Sequence, residues 1–79
     1  MDQIVLNKDV PTLMTPSGSE MIVQNSMTTD DDQLMVSKTG TIGNAWMKVG
    51  PGDAVKFDEP MYLMQSSWQS FTFPVIDKA

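Results

Sequence analysis

The sequence predicts an all-β fold, a small antiparallel β-sandwich or barrel of about six to eight short strands. Three observations carry this. Strand-like segments of about five residues are rich in Val, Thr, Ile and aromatics. Turn-forming Gly, Pro, Asn and Asp punctuate them at near ten-residue spacing. No segment repeats apolar residues at helical spacing over more than one turn, so helix is at most a minor component.

Taken in order, Gln3-Ile4-Val5-Leu6-Asn7 reads as a first strand stopped by Asn7-Lys8-Asp9. Val10 to Met14 is an edge strand or no strand, because Pro11 cannot donate to a ladder. Thr15-Pro16-Ser17-Gly18-Ser19 is a turn, and Glu20 to Asn25 follows as a strand with an apolar centre. The polar stretch from Asn25 to Asp32 suits a loop. Gln33 to Ser37 is the next strand, and Lys38 to Asn44 reverses the chain.

The strand from Ala45 to Val49 alternates, with Trp46 and Lys48 on one face and Ala45, Met47 and Val49 on the other. If the methionine face is the core, Trp46 lies at a rim or an interface. In Gly50-Pro51-Gly52-Asp53 the proline presets the second turn position and Gly52 accepts a positive φ at the third, which specifies a type II turn. Ala54 to Phe57 and Met61 to Met64 are strands separated by Asp58-Glu59-Pro60, and Gln65-Ser66-Ser67 is a polar connection. The last strand, Gln69 to Ile76, sets Phe71, Phe73 and Val75 on a core face. Pro74 places it at an edge or breaks its pairing there.

The 79 residues form a single β domain over 1–79, with residues 1–14 and 74–79 open to being extended arms. A chain of this length buries only roughly 60% of the surface its unfolded form exposes, so its own core is modest. With no cysteine and no histidine, disulfides, thiolate zinc sites and imidazole chemistry are excluded, leaving association as the available staple. Five lysines, no arginine and ten acids give a net charge of −5, the opposite of a nucleic-acid or anionic-membrane footprint. The apolar runs are far shorter than the roughly 20 residues of a spanning helix, and the N-terminal residues do not form a signal peptide. The expected compartment is a cytosol or an assembly made there. The eight methionines read either as core filler or as a packed subunit interface.

Asp30-Asp31-Asp32 is the one acid cluster. An EF-hand counted from Asp30 would need glycine at its sixth position and glutamate at its twelfth, where Met35 and Thr41 stand, so a solvated turn is the better reading. Gly40-Thr41-Ile42-Gly43 lacks the lysine and hydroxyl residue of a phosphate loop. Without His or Cys, nucleophilic chemistry would need a Ser-Lys pair, and nothing singles one out. No enzyme activity, cofactor or metal is expected. Trp46, Tyr62 and Trp68 remain open to three readings: core residues, anchors of a protein interface, or a platform for a carbohydrate or peptide.

The order of Val23-Gln24-Asn25, then Trp46-Met47-Lys48-Val49-Gly50-Pro51-Gly52-Asp53, then Pro60-Met61-Tyr62-Leu63-Met64 resembles the small β-domain virion proteins of tailed bacteriophages. The resemblance covers roughly residues 20 to 76 and rests on short motifs. It implies a capsid decoration (cement) protein on the capsid exterior, made in the host cytoplasm, bound to the major capsid protein or another virion protein. A tail or host-attachment component shares the same expectation. The analogy further implies a homo-oligomer, with a trimer at capsid threefold positions as one closed form. Its contacts on the capsid protein would come from loops and termini, and the extended ends could pair with strands of neighbouring chains; Trp46, Tyr62, Trp68, Ile4, Leu6 and Leu13 are the candidate interface residues.

Overall fold

The computed structural model describes residues 2–28, 33–41 and 46–78. Among these it contains eight strands and no helix: β1 (Gln3–Asn7), β2 (Thr12–Met14), β3 (Glu20–Gln24), β4 (Leu34–Ser37), β5 (Met47–Val49), β6 (Ala54–Phe57), β7 (Met61–Gln65) and β8 (Ser70–Lys78). They form two four-stranded antiparallel sheets in the orders β1-β8-β3-β6 and β2-β7-β4-β5. The fold is therefore a sandwich and not a closed barrel. The acid cluster Asp30-Asp31-Asp32, most of the glycine loop from Ile42, and Ala45 lie outside the described residues.

The pairing is nested. β4 pairs with β5, β3 with β6, β2 with β7 and β1 with β8, so the chain is one long hairpin whose ribbon is rolled into two layers. Two further ladders, β3 with β8 and β4 with β7, close each sheet. Eight strands in this order constitute a jelly roll. Its loops fall at two ends. One end carries residues 15–19, the β4–β5 connection and 58–60; the other carries 8–11, the β3–β4 connection, 50–53 and 66–69.

Alternation decides what enters the core. Leu6, Met21, Val23, Phe57, Phe73 and Val75 from the first sheet meet Met14, Leu34, Val36, Val49 and Leu63 from the second. The expected core face of β8 is observed, with Phe73 fully buried and Phe71 half-buried. β8 is not an edge strand, however. It pairs with β1 up to Pro74 and with β3 from Val75, so the proline sits where the strand changes partner and its missing donor interrupts neither ladder. The methionines divide: Met14, Met21, Met27 and Met64 are buried, while Met47 is 67% exposed despite lying on the core side of β5. Met47 opens an edge strand and stands outside the core cluster.

Residues 1–14 and 74–79 are not free arms where the structure describes them. Residues 3–7 are hydrogen-bonded into the first sheet and 12–14 into the second, and residues 74–78 belong to a central strand. Leu6, Met14 and Val75 are buried in the core of their own chain, while Val5, Val10, Leu13 and Ile76 are exposed.

Two fully buried carboxamides join the layers. Gln65, at the end of β7, donates through Nε2 to Leu6 O of the other sheet at 3.0 Å and to Trp68 O at 2.7 Å, while its Oε1 accepts from the N–H groups of Ser67 and Trp68 at 2.9 Å. Asn25, just past β3, donates through Nδ2 to Val49 O of the other sheet at 2.8 Å, and its Oδ1 accepts from Met27 N–H at 3.1 Å. The Asn25 main chain also clamps the turn before β6, accepting from Gly52 N–H at 2.9 Å and donating to Asp53 O at 2.8 Å. That turn closes with Asp53 N–H on Gly50 O at 3.1 Å, and Gly52 has φ of +85°.

A Cβ at Gly52 would meet nothing within 4 Å, so Gly52→Ala adds backbone strain and no clash. It should lower the unfolding free energy by about 1 kcal/mol in urea titrations. Gln65→Leu strips a partner from the buried Leu6 carbonyl and from part-buried main-chain groups of Ser67 and Trp68. With the loop groups of Ser67 and Trp68 open to water, it should cost about 1–3 kcal/mol in the same assay.

Candidate interaction surface

The strand registers define the outer face of the first sheet. Ile76 of β8 lies beside Ile22 of β3, which lies beside Lys56 of β6. One row further along, Pro74 lies beside Gln3, and beyond it Thr72 lies beside Val5. Val5 is 51% exposed and Ile76 58%. The charged members of the face are peripheral: Lys78 and Glu20 pair with each other at 3.4 Å, and Lys56 stands on the edge strand. An apolar strip thus crosses the middle of a sheet face where an isolated sandwich carries polar residues.

The second sheet is covered differently. Tyr62 faces outward but is half-buried because Gly40 lies against its ring, and a Cβ at Gly40 would fall 2.9 Å from Tyr62 Cε2. Met64 is buried on this outer side, apart from the main core. Leu13, on edge strand β2, is 50% exposed.

The aromatics expected to act together are separated. Trp46 precedes β5 at one end, half-buried, with Nε1–H donating to Thr41 O at 3.2 Å. It lines an open, largely apolar cleft of about 540 Å³ with Val36, Met47 and Met61, beside Lys38. Lys38 forms an exposed ion pair with Glu59 at 3.1 Å. Trp68 belongs to the β7–β8 loop at the opposite end, 51% exposed, and begins an aromatic series with Phe71 at 6.3 Å and Phe71 with Phe73 at 4.9 Å between ring centroids. Trp46, Tyr62 and Trp68 therefore do not form one platform. Leu6 is fully buried beside its ladder partner Phe71 and Ile4 packs against the core, so of the arm residues expected at an interface only Leu13 is displayed.

The residues missed were Val5, Ile22, Pro74 and Ile76. The period of two that placed Phe71, Phe73 and Val75 inside also puts Thr72, Pro74 and Ile76 outside, so the signal was in the strand but became a surface only once β3 was known to lie alongside. Among the described residues no three His, Cys, Asp or Glu side chains gather into a metal-binding group. No described helix is long and apolar enough to cross a membrane. No family model matches the chain, and no curated protein or solved structure matches it either.

At the cleft end, Asp77 fastens the β2–β3 loop. Its Oδ2 accepts from Ser17 Oγ–H at 2.7 Å and its Oδ1 from Ser17 N–H at 3.1 Å. These bonds, the hydroxyl first, hold the Asp77 carboxyl below its ordinary value of 3.8. A depressed folded-state pKa adds stability that is present above the unfolded value and is lost as pH falls through the folded one. Ser17→Ala should move the Asp77 titration, followed by carbon-detected NMR, back toward the ordinary value. The same variant should flatten the part of the acid unfolding curve that lies below 3.8.

Proposed function

We propose that this chain is a structural virion component of the capsid decoration type, which binds the major capsid protein and stabilises the head. The observation that carries the reading is the apolar strip of Val5, Ile22, Pro74 and Ile76 across the outer face of the first sheet. Exposed apolar surface with charge confined to its rim marks a protein-binding face. The jelly roll is compatible with the reading, being common in viral capsid domains as well as lectins, but a fold alone does not assign a function. A partner that binds only the folded domain would also supply the stability that a core of this size lacks.

A second reading, binding of a small carbohydrate or peptide, is favoured by the cleft beside Trp46, whose volume falls within the range of ligand sites. Quantitative mass spectrometry of purified particles separates the readings. Copies in the hundreds, in simple ratio to the capsid protein, are the expected result. A handful would move the chain to the tail, and absence from particles would leave the cleft as the feature to test. Ile76→Lys should weaken binding to purified capsids by roughly tenfold or more. Its melting should stay within about 0.5 kcal/mol of the parent, as expected for an exposed position.

A further inference from the structure

Each sheet of the sandwich has two edges, and they are not alike. β5 and β6 carry Lys48 and Lys56, the kind of residue that discourages another strand from adding. β2 is only three residues long. β1 is five residues, Gln3-Ile4-Val5-Leu6-Asn7, without a charge. It is the one edge that combines length with neutrality.

Its hydrogen-bonding phase is set at both ends. Val75 N–H donates to Asp2 O at 2.9 Å and Lys8 N–H to Gln69 O at 3.0 Å. In an antiparallel ladder these fix the alternation, so Asp2, Ile4, Leu6 and Lys8 turn their main-chain groups toward β8. Gln3, Val5 and Asn7 turn theirs to the open edge. The Asn7 end is partly engaged within the chain, since Asn7 O accepts from Val10 N–H at 3.2 Å, Lys8 bridges Gln65 of β7 and Asp9 N–H donates to Gln65 O at 2.9 Å, which leaves Gln3 and Val5 as the open part of the edge.

This pattern is symmetric about Val5. An antiparallel copy of β1 related by a two-fold axis through Val5 places Val5 opposite Val5, where the main-chain groups of both copies face outward and complement one another, and sets Gln3 opposite Asn7. The same register sets Asp2 opposite Lys8 at both ends, so a chain of net charge −5 meets its copy with opposite charges there and none between. We infer that the occupant of this edge is a second copy of the chain, joined through β1 into a continuous eight-stranded sheet. The apolar strip of one copy then runs on into that of the other. The inference concerns the isolated protein and does not rest on the virion reading.

Sedimentation velocity of the purified protein across a concentration series is the test. The wild type should show a monomer–dimer equilibrium. Val5→Pro removes only an edge-facing N–H, a position where an edge strand tolerates proline, and should abolish the dimer while circular dichroism still shows the folded sheet. Asp2→Lys should raise the dimer Kd roughly tenfold by turning two attractions into repulsions. The double variant Asp2→Lys with Lys8→Asp should restore it. If Val5→Pro does not fold, the charge exchange decides alone. A wild type that stays monomeric throughout, one that forms a trimer, or a dimer indifferent to the charge exchange would overturn the inference.

Discussion

The two sheets meet through a thin core, and what holds them in register is a pair of buried carboxamides. Gln65 reaches from the second sheet to the Leu6 carbonyl of the first, and Asn25 reaches from the first to the Val49 carbonyl of the second. Apolar packing is non-directional and would tolerate some sliding of one sheet over the other. A buried amide tolerates very little, because an unmatched donor or acceptor in the interior costs about as much as several good contacts contribute. No described buried side-chain nitrogen or oxygen is left without a partner. The loops inherit this order: the Gly50–Asp53 turn hangs on Asn25, and the Ser66–Trp68 loop hangs on Gln65.

Much of the strand layout was legible because it depends on local chemistry. Phe71, Phe73 and Val75 announced an inward face, and Gly50-Pro51-Gly52-Asp53 announced its turn, since both signals are complete within a few residues. The role of Gln65 was not legible. Two serines follow it, and in sequence it is one more polar residue in a connection; only the rolled ribbon, which brings Leu6 and Trp68 around it, makes it interior. Pro74 shows the same limit. Its lack of a donor was plain, but that it marks a change of partner in a central strand depends on β1 and β3 both lying beside β8.

The surface was less legible than the core for a related reason. Trp46, Tyr62 and Trp68 stand out by size, but the fold sends Trp46 and Trp68 to opposite ends and tucks Tyr62 under Gly40. The apolar strip on the first sheet is built from residues unremarkable singly, Val5, Ile22 and Ile76, that three strands far apart in sequence bring together. A binding surface of this kind follows from pairing register. It contains no motif, and it fits a protein that works by covering another surface.

The nested pairing also governs how the chain reaches its fold. β8 is made after the other seven strands, yet it occupies the middle of the first sheet, between β1 and β3. Until it emerges, β1 has no partner in that sheet, and the uncharged β1 segment is exposed with nothing of its own to pair with. The hairpin of β4 and β5 is the one pairing that closes over a short separation; every other ladder joins segments farther apart, and such topologies fold slowly. The same edge that accepts a second copy in the finished protein is thus a point of mispairing during synthesis, and the speed with which β8 inserts sets the length of that exposure.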